Sequence, residues 1–107
     1  MSSVTNLMLS FSVSEEEQTI ASQLNSYPNK ERGFLLVSID DDRLPRGWYG
    51  GSKMMETRIY LGAYNYLDVD DFINYLRSIE WESPEEVQLF TKGQYEDKFT
   101  VYNLLSE

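Results

Sequence analysis

The sequence predicts an α+β fold in which two helices pack on one face of a mainly antiparallel sheet of four to five strands, all within one domain spanning residues 1–107. Three observations carry that prediction. Several short stretches alternate apolar with polar residues, the period of a strand with one buried face. Two others repeat their apolar residues at helical spacing behind an acidic start. Finally, 107 residues with 41% hydrophobic and 14% aromatic side chains suffice for one two-layer core and are too few for two.

Leu7, Leu9, Phe11 and Val13 fall on alternate positions and read as the first strand, which Ser14 interrupts. Ser14 and Glu17 have the spacing of a capping box. Glu15, Glu16 and Glu17 fill a first turn, where carboxylates are favoured by the partial positive charge of a helix end. A helix therefore starts here, with Ile20, Ala21, Leu24 and Tyr27 as its buried stripe and Pro28 and Asn29 as its end. Phe34-Leu35-Leu36-Val37-Ser38-Ile39 is an apolar run of strand length, expected to be covered on both faces for part of its course, and Asp40, Asp41 and Asp42 stop it. Over residues 40–55, Pro45, Gly47, Gly50 and Gly51 break regular structure around Trp48 and Tyr49. A loop of that length in a small domain points to binding or mobility.

Residues 57–64 alternate again, with Ile59, Leu61 and Ala63 on one face and Arg58, Tyr60 and Tyr64 on the other, and read as a third strand. Asp68 stands as an N-cap before Asp70 and Asp71, and Phe72, Ile73, Leu76 and Ile79 recur at helical spacing, which predicts a second helix over residues 69–80. Ser83 and Pro84 open a turn. Val87, Leu89 and Thr91 form a fourth strand, and Phe99, Val101 and Tyr102 to Leu104 a fifth after a polar turn. This β-α-β-β-α-β order with an extra C-terminal strand resembles the split βαβ arrangement of ferredoxin-like domains. The resemblance covers the whole chain but rests on no motif, and it implies a fold without a function.

Charge narrows the chemistry. The formal net charge is −9, and it is unevenly spread: residues 1–29 carry −3, residues 30–58 carry +1 and residues 59–107 carry −7. Histidine and cysteine are absent, which removes the commonest general base and transition-metal ligand, thiolate zinc sites, disulfides and the cysteine nucleophile. An acidic chain whose bases are interleaved with acids is a poor match for a phosphate backbone or an anionic lipid surface, so no direct nucleic acid and no membrane is expected. No window reaches the length and apolarity of a membrane span, and the first thirteen residues alternate like a strand rather than a signal peptide; a cytoplasmic protein is the expectation.

The motifs that could carry chemistry read as structure. Consecutive aspartates 40–42 on extended backbone point in opposite directions and do not converge on a hard cation, and the EF-hand pattern is missing. The Gly47 to Lys53 loop lacks the spacing of a phosphate-binding loop. No G-x-S-x-G elbow is present, and serine has no histidine partner. No catalytic, cofactor-binding or metal residue is assigned, no cofactor is expected, and the chain is read as not an enzyme.

Two sets of residues remain as candidates for partner binding. Trp48 and Tyr49 form an aromatic loop tip, and Trp, Tyr and Arg dominate interface hot spots. Glu80, Glu82, Glu85 and Glu86 surround Trp81 and are not explained by helix ends. The expected function is a small acidic protein-binding module that inhibits or neutralises a partner with a basic surface, such as a nucleic-acid-binding protein, in the manner of nuclease immunity proteins and of the nucleic-acid mimics that phages direct against host defence. The alternative is a small-molecule-binding or regulatory ferredoxin-like domain acting as a homodimer through an edge strand.

Overall fold

The structure, a computed structural model, describes residues 3–29, 34–41, 43–44 and 55–105. Strand β1 (Val4–Ser12) leads into helix α1 (Glu17–Leu24), then β2 (Val37–Ser38), β3 (Thr57–Asn65), α2 (Val69–Ser78), a 3₁₀ turn at Pro84–Glu86, β4 (Gln88–Gly93) and β5 (Thr100–Asn103). The five strands form one sheet in the order β2-β3-β1-β4-β5, and every neighbouring pair is antiparallel. Two helices pack against this sheet, as the α+β reading expects.

The most apolar strand takes the centre. β1 pairs with β3 from Val4↔Asn65 to Ser12↔Thr57 and with β4 from Thr5↔Gly93 to Ser10↔Gln88. Its Leu7, Leu9 and Phe11 are buried with Tyr60 of β3 and Leu89 of β4 against Ile20 and Leu24 of α1 and Phe72, Ile73 and Leu76 of α2. Each such side chain contributes about 1.5–3 kcal/mol on burial, so this layer is the main stabilising element. Of the two alternating faces of β3, the one bearing Tyr60 turns to the core, while Leu61 stays exposed.

Helix α2 begins as its sequence predicts: the Asp68 carboxylate accepts from the Asp71 amide at 3.1 Å. Helix α1 does not. Its N-cap is Glu16, whose carboxylate accepts from Gln18 N at 3.3 Å, and the Ser14 hydroxyl shares a hydrogen bond with Ser12 Oγ at 3.0 Å instead of closing a box with Glu17. Tertiary partners have taken the other two glutamates. Glu17 accepts from the Tyr60 hydroxyl at 2.7 Å and pairs with Arg58 at 3.1 Å, and Glu15 turns inward to a different segment.

The apolar run at 34–39 is covered on one face only. Phe34 and Leu36 are buried, Leu35 and Val37 are exposed, and two residues pair with β3. The reason is position: the run lies at the sheet edge, and both helices are on the other side of it from Leu35 and Val37. Leu36 reaches over the sheet at Gly62, where a Cβ would stand 2.6 Å from Leu36 Cδ2, so any larger residue there would force the buried Leu36 side chain to shift. Val13, expected in the core, is exposed because β1 ends at Ser12.

Tyrosines knit the helices to the rest. Tyr27 packs edge-on against Phe34, Phe72 and Tyr75 at centroid distances of 5.1, 4.9 and 5.1 Å, and its hydroxyl donates to Asp71 at 2.7 Å. Burial and then the Asp71 acceptor raise the Tyr27 phenol well above its ordinary range. Burial, followed by the Glu17 acceptor and its charge, pushes Tyr60 up to about 12 from 10.0, with Arg58 acting in the opposite sense. An unfolded chain releases such a proton near pH 10, whereas the folded chain holds that of Tyr60 until about pH 12. The associated stabilisation is therefore complete below pH 10 and is lost as pH rises through that interval. Urea midpoints measured from pH 9 to about 12 are expected to fall less steeply for Tyr60→Phe than for wild type. Equal slopes would show that Tyr60 is not coupled to folding.

Candidate functional site

The chain leaves α2 at Ile79, whose extended backbone (φ −78°, ψ 139°) ends the helix, and runs on to the 3₁₀ turn. Trp81 is anchored at once. Its indole Nε1 donates to the Leu76 carbonyl at 2.9 Å, a helix-end acceptor, and its ring meets Phe11 edge-on at 5.5 Å. Trp81 is half-buried against the core cluster.

The next two residues are fixed by a carboxylate from the far end of the sequence. Glu15, only 4% exposed, accepts from Glu82 N at 3.0 Å through Oε1 and from Ser83 N at 2.8 Å through Oε2. Both oxygens of one buried anion thus satisfy two adjacent backbone donors, the geometry of a charge-assisted clamp. The Ser14 and Ser83 hydroxyls add a contact at 3.3 Å. The segment carrying the glutamates is thereby stapled to the start of α1.

A groove of about 510 Å³ opens beside it, lined by Arg77, Ile79, Trp81, Pro84, Leu104 and Leu105. Arg77 Nε donates to the Leu104 carbonyl at 3.3 Å, which ties the C-terminal wall to α2. Glu80, Glu82, Glu85 and Glu86 flank these lining residues in the chain, are exposed, and enter no ion pair among the described residues. The lining is mixed: the Arg77 guanidinium stands beside the apolar side chains of Ile79, Trp81, Pro84, Leu104 and Leu105.

Of the candidates from the sequence, Glu80, Glu82, Glu85 and Glu86 are exposed and neighbour the lining residues Ile79, Trp81 and Pro84 in the chain without lining the groove themselves; Trp48 and Tyr49 lie outside the described residues. Sequence reasoning missed three contributors. Glu15 reads in sequence as part of a helix start, Arg77 as a residue of the second helix and Leu104 as a residue of the fifth strand, and no spacing marks them as neighbours of one groove. Of the Asp40 to Asp42 run, Asp42 lies outside the described residues; Asp41 pairs with Arg43 Nε at 3.0 Å, which holds its carboxyl below the usual range. Among the described residues, no group of three or more acids could hold a metal ion, and no helix is long and apolar enough to cross a membrane.

Comparison with protein-family models, with curated proteins and with solved structures finds no match to this chain.

Proposed function

We propose that this chain is a protein-binding module that engages, and by occupying it neutralises, a basic surface of a partner in the cytoplasm, taking lysine- or arginine-bearing segments into the groove at Trp81. The observation that carries the reading is the Glu15 clamp: it holds rigid a segment whose four glutamates have no internal cationic partner among the described residues. Preorganised carboxylates lose little freedom on binding and steer encounter with a basic partner. We also read the topology as ferredoxin-like with a strand added beside β4; the support is that β3 lies between β1 and β2 while β1 lies between β3 and β4.

The test uses wild type and a triple variant with Glu82, Glu85 and Glu86 changed to Gln. Basic partners captured from the host lysate are identified, and each is titrated against both proteins at low and moderate salt. Binding to the variant is expected to be at least about tenfold weaker, with the difference shrinking as salt rises, since three screened charge contacts are lost. Capture of nothing basic, or affinities indifferent to the triple change, overturns the reading.

A further inference from the structure

Among the described residues, the side of the sheet away from the helices carries an apolar row that no element covers. Cross-strand partners share a face, and the register lines up Val37, Leu61, Met8, Phe90 and Val101 in one row across all five strands. Leu35, Ile39 and Phe99 extend the row on either side; these three with Val37, Leu61 and Val101 are between 38% and 57% exposed. At one end Ile39 and Ile59, with Val13, Leu44 and Met55, line a groove of about 470 Å³. With strands about 4.8 Å apart and rows about 7 Å apart, the apolar row with its flanking rows, which also hold Asn6, Ser10, Gln88, Lys92 and Asn103, covers about 500 Å² in plan, toward the upper end of the largest patch on a typical monomer, a size that is often functional.

Charge decides what fits there. In a chain of net charge −9, no outward-facing position of β1, β3, β4 or β5 is acidic, and Lys92 is the one ionisable residue among them; Asp40 stands at the rim of the end groove. The acids of α1, α2 and residues 80–86 belong to the helix side and its margin. A basic partner is therefore drawn to the other side of the molecule, and this face suits an equally neutral, apolar surface.

We propose that the occupant is a second copy of this chain, stacked sheet to sheet about a twofold axis that lies between the sheets and passes over Met8. Stacked sheets sit about 10 Å apart with a helix layer of about 10 Å beyond each, so the acidic layers of the two copies end about 30 Å apart, several Debye lengths of about 8 Å. Self-repulsion is then screened while both apolar faces leave water. Covering the flanking side chains as well brings the contact toward the roughly 800 Å² per partner of a standard interface. Edge pairing is the weaker alternative, because the edge ladders are only two residues long at β2 and four at β5.

Light scattering coupled to gel filtration, at up to about 100 μM protein in 0.15 M and 1 M salt, tests this. Wild type is expected at twice the 12.5 kDa chain mass in both salts, because apolar contact, unlike the glutamate contacts of the groove, is not screened. Leu61→Lys and Val101→Lys are each expected to run at the monomer mass, their dimer dissociation constants raised by about a hundredfold or more through burial of an unpaired ammonium. Tyr95→Lys, which changes an exposed aromatic in the β4–β5 turn, is expected to remain dimeric. Circular dichroism and thermal melts show whether each variant is folded, and two lysine variants on different strands protect against one failing to fold. A monomeric wild type, or a dimer that survives both lysine substitutions in folded protein, overturns the proposal.

Discussion

Phe11→Ala is expected to lower the unfolding free energy by about 3–5 kcal/mol, as for a fully enclosed aromatic whose removal leaves a cavity. Phe11 is 1% exposed at the end of the central strand, and its ring touches both Tyr60 and Trp81 edge-on at centroid distances of 5.5 Å. The edge-on contacts are worth about 0.5–1.5 kcal/mol each beyond area burial, which places the loss at the upper end of the range. The truncation also takes the floor from beneath Trp81, so its indole emission is expected to shift to longer wavelength before global unfolding. Trp48→Phe as background isolates that signal, since the chain has two tryptophans. A loss below about 1.5 kcal/mol in urea titration would mean that the site collapses around the gap and that Phe11 does not brace Trp81.

Glu15→Ala is expected to cost about 2–4 kcal/mol, because it leaves the Glu82 and Ser83 amides without their acceptor in a part-buried site. Exposed neighbours such as Glu16 and Glu85 are expected to change stability by no more than about 0.5 kcal/mol when replaced by alanine, apart from the cap term of Glu16. Glu15→Gln is expected to fall between, since an amide oxygen replaces one acceptor while the amide nitrogen meets the second N–H donor to donor. Amide hydrogen exchange gives the sharper readout. Protection of Glu82 and Ser83 is expected to drop in Glu15→Ala while that of the β1–β3 ladder changes only with global stability. Unchanged protection at both amides would remove the clamp from the account, and with it the main support for a rigid glutamate segment.

The legibility of this fold followed its local signals. α2 was readable nearly to the residue because its cap, first-turn acids and apolar stripe are all local and agree. The start of α1 was misread because its glutamates satisfy the pattern of a capping box while having better partners far away: Glu15 at residues 82 and 83, Glu17 at Tyr60 and Arg58. The same applies to residues 34–39. Six apolar or small residues in a row do not say whether a strand is central or at an edge, and hence whether one face or two are covered. For the site, the unexplained glutamates at 80–86 marked the segment, but the groove needed Leu104 and Leu105 brought beside Trp81 by β5, a neighbour relation no spacing encodes.

What the sequence by itself determined is the content of each element and the sign of the surface: alternation names strands, helical spacing and Asp68 place α2, and 18 acids against nine bases make the molecule acidic however it folds. Tertiary structure alone decided which acids are spent inside and which face outward, because a carboxylate's role depends on the donors that pairing and packing bring within about 3 Å. It also decided which side of the sheet is bare. Two helices connecting these strands lie on the same side, and the apolar residues left on the other side, harmless as a list, align into one row only when five strands take their register.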